Sequence, residues 1–192
     1  LVAAQVLATY YPQDQADLIV TDQMSGSRKI WKAAKGCGGF GRVYYLEEKR
    51  LNGLARGENL KNILRGALAP DKLLESFLHL EGVYDVFLLS NVSLMNQYLI
   101  QGMKKKNPRL EWMLFEDGAS TYSLQVGGLL LSRSWKVRMQ LHQVQKLKGI
   151  YLFHPETLAW KAPCPVYKLP GKYAPQTLKL LNEIFQYDKL PD

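Results

Sequence analysis

Short apolar runs alternate with longer helical segments along this 192-residue chain, and that alternation limits the fold more than any other feature. The clearest run is Tyr84–Ser90 (YDVFLLS), and similar runs occupy residues 16–21, 43–46, 110–115 and 150–153. Strands of four to seven residues that alternate with helices, often ten or more residues long, build a parallel, doubly wound sheet. The sequence therefore predicts an α/β, Rossmann-like fold, with a mostly parallel sheet and helices on both faces.

Helical segments are predicted from the spacing of apolar residues and from their end signals. Ser27 is expected to cap a helix that reaches Lys35, and the glycine-rich residues 36–41 form a turn into the next strand rather than a phosphate loop. Pro70 and Asp71 are expected to start a helix that Gly82 ends. The predicted helices cover residues 1–11, 27–35, 60–68, 71–81, 93–106, 129–147 and 175–185. Residues 154–170 are predicted to be irregular and rich in proline.

The chain is predicted to contain one Rossmann-like domain over residues 1–170, followed by a terminal helix and the start of a linker over residues 171–192. Its first residue is not Met and lies in an apolar, helical stretch, so we expect the native N-terminus to lie upstream. Hydrophobic residues make up 47% and charged residues 22%, which is ordinary globular composition and excludes wholesale disorder. No apolar run reaches the roughly 18 residues that a membrane-spanning helix needs.

The formal net charge of +8 and the pI near 9.4 favour an anionic partner. Nucleic acid, an acidic membrane surface, and anionic sugars or nucleotides all fit. Nucleic acid is not expected, because the sequence lacks a recognisable helix-turn-helix, RNP motif or aromatic-rich basic strand. Lys104–Lys106 is most simply the solvated end of a helix. Cys37 and Cys164 lack the spacing of a zinc site and are expected to be buried or half-buried without a metal.

The most informative motif is Phe115–Gly118 (FEDG), at the end of a predicted strand. Ligands of parallel sheets bind outside the carboxyl ends of the strands. Gly118 permits a turn there, and the adjacent Glu116 and Asp117 point in different directions, so that one can reach a cleft while the other holds the loop. A carboxylate so placed can act as a general base towards an attacking hydroxyl. The simpler alternative is an Asp-Gly turn without a function. The other polar residues at predicted strand ends are Thr21, Asp22, Glu47, Glu48, Ser90, Asn91 and His154.

Residues 115–122 (FEDGASTY) resemble the D/E-D/E-G motif of bacterial sialyltransferases, and most of all that of the lipooligosaccharide sialyltransferases and the capsular polysialyltransferases. The surroundings are similar as well, since a strand containing FLLSN and a helix precede the motif and a strand containing IYLFHP follows it. The resemblance covers residues 16–156. It implies a GT-B glycosyltransferase, in which two Rossmann-like domains face each other across a cleft.

In this family the acidic motif faces the acceptor, so the resemblance implies that Glu116 or Asp117 deprotonates the acceptor hydroxyl. That hydroxyl would then displace CMP from CMP-sialic acid with inversion and without a metal. Asn91, Ser120 and Tyr122 are expected to bind the acceptor, an anionic bacterial surface glycan such as lipooligosaccharide or capsular polysaccharide.

The HP motif of the family lies farther downstream, in the donor-binding domain. His154-Pro155 is therefore interpreted as a strand end rather than as that motif. The chain is expected to be the acceptor-side half of the enzyme and to be inactive without the donor-binding domain.

Two other classes of function remain open. One is a non-catalytic Rossmann-like binding or regulatory domain for an anionic ligand, and the other is a nucleic-acid-binding domain. The expected location is the cytoplasm, at the inner face of the membrane through peripheral association. His79 and His142 lie in predicted helices and are expected to be packed or exposed rather than catalytic. The donor sugar, the linkage and the oligomeric state are left open by the sequence.

Overall fold

The computed structural model describes residues 2–49, 75, 78–123 and 146–185 of the chain. We number the elements of these residues in chain order. The strands are β1 (Leu18–Thr21), β2 (Val43–Leu46), β3 (Val86–Leu89), β4 (Glu111–Phe115), β5 (Gly149–Leu152) and β6 (Val166–Lys168). The α-helices are α1 (Val2–Tyr10), α2 (Ser27–Gly36), α3 (Leu94–Lys106), α4 (Ala119–Tyr122) and α5 (Pro175–Phe185), and a 3₁₀ helix covers Pro155–Thr157.

The described strands form two sheets, in which every strand pair is parallel. β1 pairs with β2, and β3, β4, β5 and β6 follow one another in a four-stranded sheet. The register of the larger sheet sets Val86 opposite Glu111 and Ile150 opposite Val166. The predicted α/β class with parallel strands is confirmed. The sequence suggested one sheet, however, and the described strands form two.

The chain divides into two compact units, residues 3–80 with 173–192 and residues 81–172. The first unit holds the two-stranded sheet, and the second holds the four-stranded sheet. Helix α5 belongs to the first unit, where Ala174 N donates to Gln5 Oε1 at 2.9 Å and Thr177 Oγ1 donates to Ala4 O at 3.5 Å. The predicted domain boundary at residue 170 stays a prediction, and in the structure the terminal helix packs beside α1.

Most predicted elements lie where the apolar pattern indicates, and β2 and α5 have the predicted bounds. The prediction that residues 154–170 are irregular is wrong over β6, which pairs with β5 although Pro165 directly precedes it. Ser27 is not the helix cap. It is the first residue of α2, after Gly26 at φ 78°, and its buried hydroxyl lies 3.1 Å from Tyr45 OH.

Other predicted helical segments are only partly described. The helix predicted over residues 71–81 does not reach Gly82, because residues 78–80 are not helical. The predicted helix at 60–68 and residues 129–145 of the predicted helix at 129–147, together with His142, lie outside the described residues, and Lys146 and Leu147 are not helical.

The core of the second unit forms around β5, whose four residues are all buried. Full burial of a strand on both faces is typical of a parallel sheet that is covered on both sides. The buried core cluster consists of Leu89, Ile100, Trp112, Leu114, Leu147, Ile150 and Leu152. Cys164 packs half-buried against this cluster, and burial raises the pKa of its thiol to about 11. Cys37, in the first unit, is also half-buried and free, so the expected burial of both cysteines is confirmed.

Helix α3 carries a buried amide for which the described part of the chain offers no hydrogen-bond partner. Gln97 is fully buried, and neither its Nε2 nor its Oε1 is hydrogen-bonded to a described residue. Its neighbours Tyr98, Leu99 and Ile100 are buried as well, so the middle of α3 is covered around its whole circumference. An unsatisfied buried polar group costs about 1–3 kcal/mol.

Replacing this amide by an apolar side chain of similar shape is expected to stabilise the protein. For Gln97→Met we expect a rise of about 1–2 kcal/mol in the free energy of unfolding, because the desolvation cost of the amide disappears. Urea unfolding measures the change, with Gln101→Met in the same helix as the control, since Gln101 is only half-buried. A loss of stability in Gln97→Met would show that the amide is satisfied in the folded protein.

Candidate active site

The carboxyl ends of the four parallel strands β3 to β6 meet at one edge of the larger sheet. Asn91 follows β3, Glu116 and Asp117 follow β4, and His154 follows β5. Neighbouring strands of a sheet are about 4.8 Å apart, so these residues belong to one continuous edge. The polar residues that follow β1 and β2 belong to the other unit, where Lys49 N donates to Asp22 Oδ1 at 2.8 Å.

The acidic turn, residues 116–118, changes the chain direction at the end of β4. Gly118 has φ 71° and ψ −162°, and α4 begins at the next residue. This backbone conformation is essentially restricted to glycine. A Cβ at Gly118 would meet no atom within 4 Å, so it is the backbone angle rather than lack of space that requires glycine. Gly118 thus has the positive φ that a glycine in a turn supplies.

A side chain at this position is expected to strain the turn. For Gly118→Ala we expect a loss of about 1–3 kcal/mol in the free energy of unfolding, the usual cost of such backbone conformations. Thermal or urea unfolding measures it, with Gly171→Ala as a control, since Gly171 also has open space around it and its φ is not positive. Equal effects of the two substitutions would mean that the positive φ is not what Gly118 supplies.

The Glu116 carboxylate accepts two hydrogen bonds from within the protein. Its Oε2 accepts from Tyr122 OH and, at 2.9 Å, from the backbone N–H of Phe153. Tyr122 OH in turn accepts from the backbone N–H of His154 at 3.0 Å. The half-buried Glu116 therefore ties the end of β4 both to α4 and to the residues that follow β5.

Tyr122 is the partner of Glu116 rather than a free acceptor-binding group. Burial raises the pKa of Tyr122, and the hydrogen bond to Glu116 raises it further, while the backbone bond from His154 opposes both effects. The Tyr122 hydroxyl thus stays protonated and donates to the carboxylate. Donation from this hydroxyl to the acceptor that the sequence suggests would require the hydrogen bond to Glu116 to break.

Hydrogen bonds hold the backbone of Asp117, whereas its carboxylate is not paired with any described residue. Its backbone N–H donates to Thr121 Oγ1 at 2.8 Å, and its carbonyl accepts from Ser120 Oγ at 3.1 Å. Thr121 is buried, and its carbonyl accepts from Trp160 Nε1 at 3.0 Å. The Asp117 carboxylate is exposed and has no hydrogen-bond or ion-pair partner among the described residues. The two adjacent acids therefore have different environments, one paired and one open.

The other two predicted acceptor-binding residues are exposed at the same edge. The Ser120 hydroxyl donates a hydrogen bond to the Asp117 carbonyl. Asn91 donates from Nδ2 to Ser90 Oγ at 3.3 Å, and its Oδ1 accepts from Asn96 Nδ2 at 3.2 Å. These contacts orient both side chains beside the carboxyl ends of β3 and β4.

Glu156 and Lys168 lie beside His154 and were not found from the sequence. His154 Nδ1 lies 3.3 Å from Glu156 Oε1, and Lys168 Nζ lies 3.7 Å from Glu156 Oε2. The pKa of the Glu156 carboxyl lies below its usual range, first because of a hydrogen bond from its own backbone N–H and further because of His154 and Lys168. Both residues fall in the stretch predicted to be irregular, and the Val-Tyr-Lys run between prolines was the only signal of a strand there.

Two further sequence features lie away from this edge. His79 is exposed and belongs to the first unit. Lys104–Lys106 form the last turn of α3, as predicted, with Lys105 and Lys106 exposed and Lys104 Nζ 4.6 Å from the centre of the Trp112 ring.

Comparisons with protein-family models, with curated proteins and with solved structures find no match for this chain. In the part of the chain that the structure describes, no helix has both the length and the apolar character needed to cross a bilayer. The resemblance to bacterial sialyltransferases therefore depends on the motif residues and their surroundings in the sequence.

Proposed function

We propose that the acidic turn is the acceptor-activating site of an inverting glycosyltransferase, with Asp117 as the general base and Glu116 as its structural anchor. The observation that carries this assignment is the exposed carboxylate of Asp117, which has no hydrogen-bond or ion-pair partner among the described residues and stands on a fixed backbone at the carboxyl edge of a parallel sheet. Ligands of such sheets bind at this edge. A general base needs a carboxylate that can reach a substrate proton, and Glu116 already uses Oε2 twice.

The reaction follows from the resemblance of residues 115–122 to the sialyltransferase motif. The acceptor hydroxyl gives its proton to Asp117 while its oxygen bonds to the anomeric carbon of the sialic acid. The bond from that carbon to the phosphate oxygen of CMP breaks, and CMP leaves with the electron pair. A single displacement inverts the anomeric centre and requires no metal. The acceptor is a bacterial surface glycan, either lipooligosaccharide or capsular polysaccharide, and the donor is held by a second domain of the full protein.

The activity is tested on the protein as its gene encodes it. Labelled CMP-sialic acid is incubated with lipooligosaccharide or with capsular oligosaccharides, and transfer is followed by mass spectrometry of the product. Transfer of sialic acid with inversion is the expected result. Binding of an anionic glycan or nucleotide without any transfer would instead favour the non-catalytic binding or regulatory domain.

Peripheral association with an anionic membrane is a second part of this proposal. Arg109 precedes β4, and Lys146 and Lys148 precede β5, so these three exposed cations lie at the amino edge of the larger sheet. The acidic turn lies at the opposite edge of the same sheet. Each Lys or Arg near an anionic bilayer contributes about 1 kcal/mol to binding, which is roughly a fivefold change in partition coefficient.

Neutralising these cations is expected to weaken membrane binding. In co-sedimentation with phosphatidylglycerol-containing vesicles, Arg109→Gln/Lys146→Gln/Lys148→Gln should lower the partition coefficient about a hundredfold. The matched control Lys29→Gln/Lys32→Gln/Lys179→Gln removes the same charge from the other unit. Equal losses in both triple variants would mean that net charge, and not the amino edge, governs binding.

A further inference from the structure

The first unit contains a cavity of about 360 Å³ that the proposed transfer reaction does not use. It lies between the end of α1, the loop that follows it, the glycine-rich turn before β2 and the first turns of α5. Ligand pockets usually measure about 300–1,000 Å³. The cavity is thus at the lower end of that range, which suits a monosaccharide or a disaccharide.

Three polar side chains line this cavity with their hydrogen-bonding capacity unused. Asp14, Gln15 and Gln176 are exposed, and none of their side chains forms a hydrogen bond or ion pair with the described residues. The two amides each offer donors and an acceptor, and the carboxylate offers acceptors only. This set can satisfy several neighbouring hydroxyl groups at once.

Two aromatic rings also line the cavity. Tyr11 and Phe40 are half-buried on its wall, one at the end of α1 and the other in the glycine-rich turn. Aromatic faces give a large apolar surface at a low cost in side-chain entropy. A ligand that is polar at its rim and carries C–H groups on its face matches this lining.

The wall of the cavity is held in place by close packing and by hydrogen bonds. A Cβ at Gly39 would collide with Leu180 Cδ1, and Gly38 has φ 66°. Gly41 N donates to the Ala16 carbonyl at 2.8 Å, which fixes the glycine-rich turn against the loop that follows α1. The glycines are therefore explained by the packing of this wall, which leaves the cavity preformed.

We propose that this cavity binds a neutral carbohydrate. Sugar hydroxyls would donate to Asp14 and exchange hydrogen bonds with Gln15 and Gln176, while a pyranose face packs on the aromatic rings. Among the described residues that line the cavity, the single charged side chain is that of Asp14, which disfavours phosphates and acidic sugars. This inference stands apart from the acidic turn, which belongs to the other unit.

The test uses lactose and maltose as neutral probes and 3′-sialyllactose as the anionic comparison, with binding measured by saturation-transfer NMR and calorimetric titration. We expect at least one neutral disaccharide to bind and sialyllactose to bind more weakly. Asp14→Asn and Gln176→Ala should each weaken the binding of the neutral sugar about fivefold or more, the effect of one lost hydrogen bond. Glu183→Gln, an exposed residue of α5 that does not line the cavity, should leave it unchanged.

Either of two results would overturn the proposal. One is the absence of binding of both neutral disaccharides at tens of millimolar. The other is binding that is the same in wild type, Asp14→Asn and Gln176→Ala. Asp117→Asn should still bind the neutral sugar in this cavity. Sugar binding by the cavity and glycosyl transfer at the acidic turn can therefore be disproved independently of each other.

Discussion

Asp117→Asn is expected to lower kcat for sialic acid transfer by about 10²–10⁴-fold, the usual contribution of a general base. Asparagine has nearly the same shape as aspartate but cannot take up the acceptor proton. Because the Asp117 backbone is fixed through Thr121 Oγ1 and Ser120 Oγ, the substitution should leave the turn and the stability of the protein unchanged. KM for the acceptor should therefore change by only a few-fold. Steady-state kinetics on the full protein measures both constants.

Glu111→Gln is the matched control for this experiment. Glu111 is also an exposed carboxylate of β4, but it lies at the amino end of the strand, away from the acidic turn. We expect its kcat to equal that of the wild type. A kcat for Asp117→Asn within about threefold of the control would show that Asp117 is not the general base.

Glu116→Ala is expected to lower the free energy of unfolding by about 3 kcal/mol. The substitution removes the acceptor of two hydrogen bonds, those donated by Tyr122 OH and by the Phe153 N–H. Hydrogen bonds to charged groups contribute about 1.5–3 kcal/mol each, and the loss is partly offset where the freed groups reach water. Urea unfolding measures the loss, and Asp117→Ala, whose side chain has no partner among the described residues, is the control with little expected change.

A double-mutant cycle separates the hydrogen bond from other effects of these substitutions. Glu116→Ala, Tyr122→Phe and the double variant should give a coupling energy of about 1–3 kcal/mol, since the two side chains are in direct contact. Glu116→Gln should lose much less stability than Glu116→Ala, because the amide oxygen still accepts from Phe153 N and Tyr122 OH. A coupling energy near zero would contradict the role of Glu116 as an anchor.

The strands were predictable where local pattern and tertiary environment agree. β5 is an unbroken apolar run because it is buried on both faces, and β3 is apolar as well, with Leu89 buried and its other three residues half-buried. β6 was missed because it has only three residues and lies between prolines, and its pairing with β5 is what makes it a strand. The docking of α5 beside α1 depends on Gln5 and Thr177, more than 160 residues apart, and no local pattern announces such a contact.

The candidate site was predictable in its location but not in the roles of its residues. The Phe115–Gly118 pattern indicates an acidic turn after a strand, and the φ of Gly118 agrees with it. Which carboxylate is paired depends on Phe153, 37 residues farther along the chain, and that hydrogen bond forms only when β4 and β5 are neighbours. For the same reason the sequence suggested Tyr122 as a group for the acceptor, whereas its hydroxyl contacts Glu116.

The most direct test of the different roles of the two adjacent acids is the kcat of Asp117→Asn compared with that of Glu116→Gln. Both substitutions remove one negative charge from the acidic turn, so their charge effects match. With CMP-sialic acid and the best acceptor, we predict that Asp117→Asn keeps less than about 1% of the wild-type kcat, the loss expected for a missing general base. Glu116→Gln should keep at least about a tenth, because its hydrogen bonds persist in weaker form. The reverse order, or wild-type turnover by Asp117→Asn, would contradict the assignment.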